Sequence, residues 1–271
     1  PAFEFEIIED FSEENLIKVL PNFDACTLRV SKLNENILSK CKNLKVISRH
    51  GVGYDNVDLN YIKKNKITLL ITATANAVAV AEHVISMFLS LSKSISKYDE
   101  EVRKGNFKLN ADKIQTFELL NKNILIAGFG RIGKKLISRC LAFDTKVYIY
   151  DPYVDKKIIK EFGGIKVDKI EDGLKIADYV SLHMPLTDET KNLINYSILK
   201  TMKKNSIIVN TARGGIINEL ELEMRKYSTI DADSAIFCGT QDEWQKWSTM
   251  NSDGVRLSLH NGENLNGEVK I

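Results

Sequence analysis

Cysteine, proline, tryptophan and histidine are all scarce in this chain of 271 residues, which has four cysteines, four prolines, two tryptophans and four histidines. Cys26, Cys41, Cys140 and Cys238 lie far apart and form no CxxC pair, which argues against a zinc site and against a disulfide framework. No metal is expected, and a reducing, cytoplasmic setting suits the thiols best. An excess of one charge is missing too: 38 basic and 36 acidic residues leave a formal charge of +2, too weak a field to gather nucleic acid or an anionic membrane surface. Long apolar runs are also absent. The most apolar long segment, 73–91, is interrupted by Glu82 and His83 and reads as a buried helix instead of a membrane span. Glu82 and His83 themselves read as a buried polar pair satisfying each other. The acidic start "PAFEFEIIED" does not have the basic-then-apolar order of a signal peptide.

What is present is alternation. Short β-rich runs at 3–8, 25–30, 46–48 and 67–71 alternate with helical ones, one opened by Ser12 and one near 34–40, the rhythm of parallel strands joined by crossover helices. One long helical stretch over 76–104 follows, with Val80, Val84, Met87, Phe88 and Leu91 at spacings of three and four. The alternation then restarts at "NILIAGFGRIG", with strands at Lys146–Tyr150, 179–183 and Ile207–Asn210. The expected fold is α/β, two Rossmann-like domains with parallel sheets, the first over 1–78 and the second over 79–260. Asn218 and Glu221 form a capping box for one more helix. From 227 to 271 the periodicity fades, lysine becomes scarce and both tryptophans appear.

The strongest local signal is Gly128-Phe129-Gly130-Arg131-Ile132-Gly133. A lone GxGxxG means little, but this one follows an apolar strand, opens an amphipathic helix and leads to a second strand ending in Asp151. Gly128 permits the tight turn, Gly130 lets backbone approach a pyrophosphate, and Gly133 allows helix to pack on strand, with the helix amino end facing the anion. Asp151 stands 18 residues beyond Gly133, where a carboxylate accepts from ribose hydroxyls and repels a 2′-phosphate; the expected cofactor is NAD. "HMPLTDET", from His183 through Thr190, and "NTARGG" each follow a strand, where ligands of open α/β sheets gather. Arg213 in the latter carries a planar, permanently charged fork suited to a substrate carboxylate; a surface arginine ending a strand is the competing reading. "SRHGVGYDNVD" places two glycines after a first-domain strand, where the N–H groups of Val52 and Gly53 suit an anion, or where a plain turn simply reverses the chain.

Together, "RHGVGYDNVD", "NAVAVAEH", "IAGFGRIG", "YDP", "HMPLTDET" and "VNTARGGIIN", in this order, resemble the D-isomer-specific 2-hydroxyacid dehydrogenases, the phosphoglycerate dehydrogenase-like group in particular. The resemblance implies a substrate domain and an NAD domain with catalysis between them, a homodimer, and hydride transfer between NAD(H) and a small 2-hydroxy or 2-oxo acid. It carries the catalytic arginine to Arg213 and the substrate-holding residues to His50, Gly51, Val52 and Gly53, with Arg29 near a position that touches substrate. His183, Met184, Pro185, Thr190, Thr211 and Ala212 match residues lining the cofactor, beside Gly128 through Gly133 and Asp151. A non-catalytic NAD-binding relative, or an inactive fragment, is the other reading.

The proton donor the resemblance calls for is a histidine near the end of the NAD domain, with a partner carboxylate upstream. His260 in "LHNG" stands 47 residues past Arg213, and Glu243 or Asp242 in "TQDEW" is its candidate partner, with Glu243 the choice. Leu259 occupies the place where the family has proline, and "SAIFCGT" is a poor match to the expected apolar strand. The 227–271 tail is therefore expected to differ from the family's usual carboxyl terminus, through a frameshift or a fragment boundary or as a divergent working tail. The substrate domain is expected to be short at both ends, with 261–271 as a candidate completion.

Overall fold

The computed structural model describes residues 4–110 and 113–218, together with the backbone of 236–238. The chain divides into two units, 1–76 and 77–271.

In the first unit, three parallel strands, β1 (Ala25–Leu28), β2 (Val46–Arg49) and β3 (Thr68–Ile71), stand in the order β1-β2-β3. The helices between them start where capping residues allow. Ser12 accepts from the Asn15 N–H at α1 (Glu13–Val19), Asn34 from Ile37 at α2 (Glu35–Leu38), and Asp58 from Tyr61 at α3 (Leu59–Lys64). Leu16, Leu20, Ile37, Leu38, Ile47 and Ile62 form the centre of this unit's core. The expected strand at 3–8 is not observed: residues 4–10 have no regular structure, and Phe5 and Ile7 are exposed. Its alternating "FEFEI" pattern suits a strand edge, but no neighbouring strand among the described residues pairs with it.

The second unit opens with two helices where one was expected. α4 (Ala77–Ser92) and α5 (Ile95–Arg103) meet at a 59° bend. Ser92 Oγ bonds back to the Phe88 carbonyl, and Ser94 turns left-handed at φ 50° while its hydroxyl donates to the Gln115 carbonyl. Neither helix is by itself long and apolar enough to cross a membrane. Glu82 and His83 are exposed on α4, contrary to the buried pair expected of them. Glu82 instead bonds Arg139 of α7 (Arg131–Leu141) at 2.8 Å, because the buried stripe runs through Ala77, Ala81, Val84 and Phe88 and turns Glu82 outward.

Beyond α6 (Phe107–Asn110), described strands β4 (Asn123–Ala127), β5 (Lys146–Tyr150), β6 (Ile165–Val167), β7 (Tyr179–Leu182), β8 (Ile207–Asn210) and β9 (Ile236–Cys238) form a wholly parallel sheet. Its order, β6-β5-β4-β7-β8-β9, is that of a dinucleotide-binding fold, with the direction of winding reversing between β4 and β7. β4 is buried on both faces, as a central parallel strand must be. Ile124 and Ile126 pack toward α4 and α7; Leu125 and Ala127 pack with α9 (Ile170–Ile176) and α10 (Tyr196–Leu199), α8 (Lys156–Glu161) having closed the β5–β6 crossover. Each buried Ile or Leu contributes roughly 1.5–3 kcal/mol to holding these layers together. β9 corrects the low expectation placed on "SAIFCGT": its Ile236–Cys238 backbone pairs with β8 at Ile208, Val209 and Asn210.

Candidate functional site

The β4–α7 turn is built around two close approaches. Gly128 has φ +101°, and a Cβ there would stand 2.7 Å from the carbonyl of His183 on the neighbouring β7 end. A Cβ on Gly133 would stand 2.4 Å from the Gly128 carbonyl oxygen, so only glycine lets α7 start this close to the strand. At Gly130, in contrast, a Cβ would meet nothing within 4 Å: backbone borders open space there. Gly130 is also the N-cap of α7 and offers no side-chain cap, so the helix's first N–H groups receive no capping hydrogen bond from it. This is a cradle of the shape and polarity that a pyrophosphate needs.

Phe129, Arg131 and Ile132 divide their duties. The Phe129 ring is buried against Phe162 at a centroid distance of 5.4 Å, and only its backbone is available to the turn. Arg131 is exposed, and Ile132 packs on the core. Asp151, at the end of β5, accepts from the Phe129 N–H at 2.8 Å and from the Tyr153 N–H at 2.9 Å. The carboxylate therefore braces the glycine turn, and each of its oxygens keeps acceptor capacity.

Across the switch point, His183 Nε2 lies 2.8 Å from the Ser181 hydroxyl. Part of the residue reaches solvent, yet its Nδ1 is sealed away without a hydrogen-bond partner, and burial pushes the imidazole pKa down to about 3. His183 is thus a neutral ring at every ordinary pH. Met184 is buried and Pro185 exposed. Thr190 donates to the Pro185 carbonyl at 2.6 Å and accepts from the Thr187 N–H at 2.8 Å, closing the 185–190 loop upon itself.

The third loop follows β8. Asn210, fully buried, accepts from the Ala212 N–H at 3.0 Å and donates to the Arg213 carbonyl at 2.8 Å, which folds 210–213 into a tight hook. Thr211 Oγ1 is buried without a hydrogen-bond partner. Arg213 is half-buried and its Nη1 donates to the Ala212 carbonyl at 2.7 Å. The structure thus gathers Gly128 through Gly133, Asp151, His183 through Pro185, and Thr211 through Arg213 at the carboxyl ends of β4, β5, β7 and β8. Ser181 and Asn210, which shape two of these loops, escaped sequence reading because each looks like an ordinary strand residue; the only clue was a polar side chain inside an apolar run.

In the first unit, Arg29 follows β1 and His50 through Gly53 follow β2, so the β1–β2 register sets them side by side at one end of the sheet. Asn56 ties the two segments together by donating to the Ser31 carbonyl at 2.8 Å. The Gly51 N–H is taken by Thr72 Oγ1 at 2.7 Å, so this N–H serves the fold. Arg29 and His50 are exposed. His260, Glu243 and Asp242 lie outside the described residues.

A family model described as "D-isomer specific 2-hydroxyacid dehydrogenase, NAD binding domain" matches residues 85–225. The D-3-phosphoglycerate dehydrogenase of Methanocaldococcus jannaschii is 33% identical over 220 residues, covering 81% of this chain and 42% of that protein. The hydroxypyruvate reductase of Thermotoga maritima is 35% identical over 212 residues, 78% of this chain and 67% of the relative. A D-lactate dehydrogenase from Aquifex aeolicus, solved with NAD and lactic acid, aligns with a TM-score of 0.75 at 30% identity, over 90% of this chain and 72% of that one. The chain spans about two fifths of the length of the phosphoglycerate dehydrogenases it matches.

Proposed function

The chain belongs to the D-isomer specific 2-hydroxyacid dehydrogenase family, and from that premise we propose that it transfers a hydride between NAD(H) and a small D-2-hydroxy acid or its 2-oxo partner. One observation carries the proposal: Gly128, Gly130 and Gly133 form an open, uncapped helix start beside Asp151 at the switch point of a parallel sheet. That geometry suits NAD, which when bound supplies or accepts the hydride.

The protein's own residues do the rest. The amino end of α7 binds the pyrophosphate through backbone N–H groups. The spare lone pairs of Asp151 accept from ribose hydroxyls and disfavour a 2′-phosphate. Arg213, held on its hook by Asn210, grips the substrate carboxylate. Within the first unit, the backbone N–H groups of Val52 and Gly53, with Arg29 and His50 beside them, are assigned to substrate recognition. His260 exchanges a proton with the substrate oxygen, with Glu243 or Asp242 orienting its ring.

The proposal includes a homodimer and a cytoplasmic setting. Ile95, Val102, Phe107 and Leu109 of the second unit expose apolar surface that a second copy would cover, and Cys26, Cys41 and Cys140 are free thiols. The test is NADH oxidation by the folded chain against glyoxylate, hydroxypyruvate, pyruvate and phosphohydroxypyruvate. Turnover of at least one is expected. A folded sample that binds NADH and turns over none of these acids refutes the activity.

A further inference from the structure

On the α4 face of the sheet the cofactor crevice contains polar groups that general dinucleotide binding does not explain. Ser181 is wholly buried in β7, on the face it shares with Tyr179, whose ring meets Phe88 of α4 at 5.1 Å. His183 follows two residues later on the same face. β7 and β8 pair Leu182 with Asn210, and continuing that register by one residue sets His183 beside Thr211. Two buried atoms without a hydrogen-bond partner, His183 Nδ1 and Thr211 Oγ1, therefore end neighbouring strands.

The Ser181 hydroxyl decides which ring nitrogen holds the proton. Among the described residues its one hydrogen-bond partner is His183 Nε2 at 2.8 Å. If Nε2 carried the proton and donated to Oγ, the Ser181 hydrogen would be buried with no acceptor and Nδ1 would be buried with no donor. If Ser181 donates to Nε2 instead, the hydrogen left over is the N–H on Nδ1. Each arrangement leaves one buried hydrogen without an acceptor, but only the second places it on Nδ1, where an acceptor atom of a ligand can take it up, and leaves no ring nitrogen without a proton or a donor.

We infer that Ser181 is a positioning residue that fixes His183 as the Nδ1–H tautomer, so that a neutral imidazole presents one directed N–H, beside the Thr211 hydroxyl, to an acceptor atom of the bound dinucleotide. The inference rests on the NAD reading above. Burial that keeps the ring uncharged serves the same end, because a neutral donor binds without the desolvation of an imidazolium.

The experiment uses the full chain with ¹⁵N-labelled histidine, read by long-range ¹H–¹⁵N spectra, alongside NADH titration by fluorescence. The wild type is expected to show His183 protonated on Nδ1. Ser181→Ala is expected to shift the proton to Nε2 and weaken NADH binding roughly three- to tenfold, the worth of one neutral hydrogen bond. Ser181→Thr, which restores a hydroxyl, is expected to recover both. Unaltered thermal unfolding alongside weakened binding separates positioning from mere structural support. A proton on Nε2 in the wild type overturns the inference, and does so even if Ser181→Ala fails to fold. Unchanged NADH affinity in Ser181→Ala overturns it too, as it would if a buried water satisfied Nδ1 and Thr211 in place of the ligand. Wild type that does not bind NADH at all overturns the proposed function together with the inference.

Discussion

Gly133→Ala and Gly130→Ala are two chemically identical changes three residues apart, and the structure predicts opposite consequences. In an unconstrained helix, replacing glycine by alanine gains about 1 kcal/mol. At Gly133 the new methyl would lie 2.4 Å from the Gly128 carbonyl oxygen and 3.4 Å from Ile126 Cγ2. Carbon and carbonyl oxygen keep about 3.3 Å apart, so α7 must retreat by roughly 1 Å from backbone that cannot rotate aside. Overpacking costs about 1–3 kcal/mol, and against backbone that cannot give way the upper part of that range, about 2–3, applies, which outweighs the helix gain and leaves a net loss of about 1–2 kcal/mol. For a unit of this size the melting temperature falls by roughly 2–8 °C. At Gly130 the methyl meets nothing within 4 Å, so stability should stay within about 0.5 kcal/mol of wild type. There the methyl enters the space assigned to the pyrophosphate, and NADH binding should weaken at least about tenfold, near 1.4 kcal/mol. Thermal unfolding and NADH fluorescence titration of both variants read the two effects separately. A Gly133→Ala protein more stable than wild type, or a Gly130→Ala protein binding NADH normally, refutes the reasoning.

Three further outcomes follow from the same contacts. His183 is neutral in the fold down to about pH 3, whereas in the unfolded chain it titrates near pH 6.5. Unfolding therefore takes up a proton between those values, so stability is full above about pH 6.5 and falls as pH drops toward 3, by up to about 1.4 kcal/mol per pH unit. Urea midpoints of wild type and His183→Gln check this, and equal acid sensitivity in the two would contradict it. Asp151→Ser removes the carboxylate that repels a 2′-phosphate, and the NADH-over-NADPH preference should fall by about tenfold or more; unchanged selectivity would show that Asp151 acts only as a brace of the Phe129 and Tyr153 N–H groups. Glu82→Gln breaks an ion pair with Arg139 in which Glu82 is 61% exposed, so less than about 1 kcal/mol should be lost in urea unfolding. A larger loss would mean that α4 and α7 depend on that pair.

Much of this architecture was legible in the sequence because its signals are local. Ser12 announces its helix through capping and the GxGxxG turn announces itself through glycine chemistry, whereas the caps at Asn34 and Asp58, and with the latter the helix Leu59–Lys64, emerge only in the structure. What escaped reading depends on partners distant in the chain. Residues 76–104 have one continuous helical period, yet Ser94 finds the Gln115 carbonyl and the helix bends there. Residues 3–8 have a strand's alternation, but a strand also needs a neighbour to pair with. Ile236–Cys238 is too short to stand out as an apolar run and is held as a strand by β8. Glu82 seemed buried because its segment is apolar, whereas the helix's rotation, set by the core, turns it to solvent and Arg139. Within the site, the glycines, Asp151 and Arg213 could be read from residue type and position, while Ser181 and Asn210 gain meaning only from the atoms opposite them.

Hydride transfer between NAD(H) and a D-2-hydroxy acid leaves its mark in the fate of the hydride itself. The full chain is incubated with NADH deuterated at the transferring position of the nicotinamide and with whichever of hydroxypyruvate, pyruvate and phosphohydroxypyruvate it reduces fastest, and the product is separated by chirality and examined by mass. The expected product is the D-2-hydroxy acid with deuterium at C2. An L product, or a D product without the label, would contradict it.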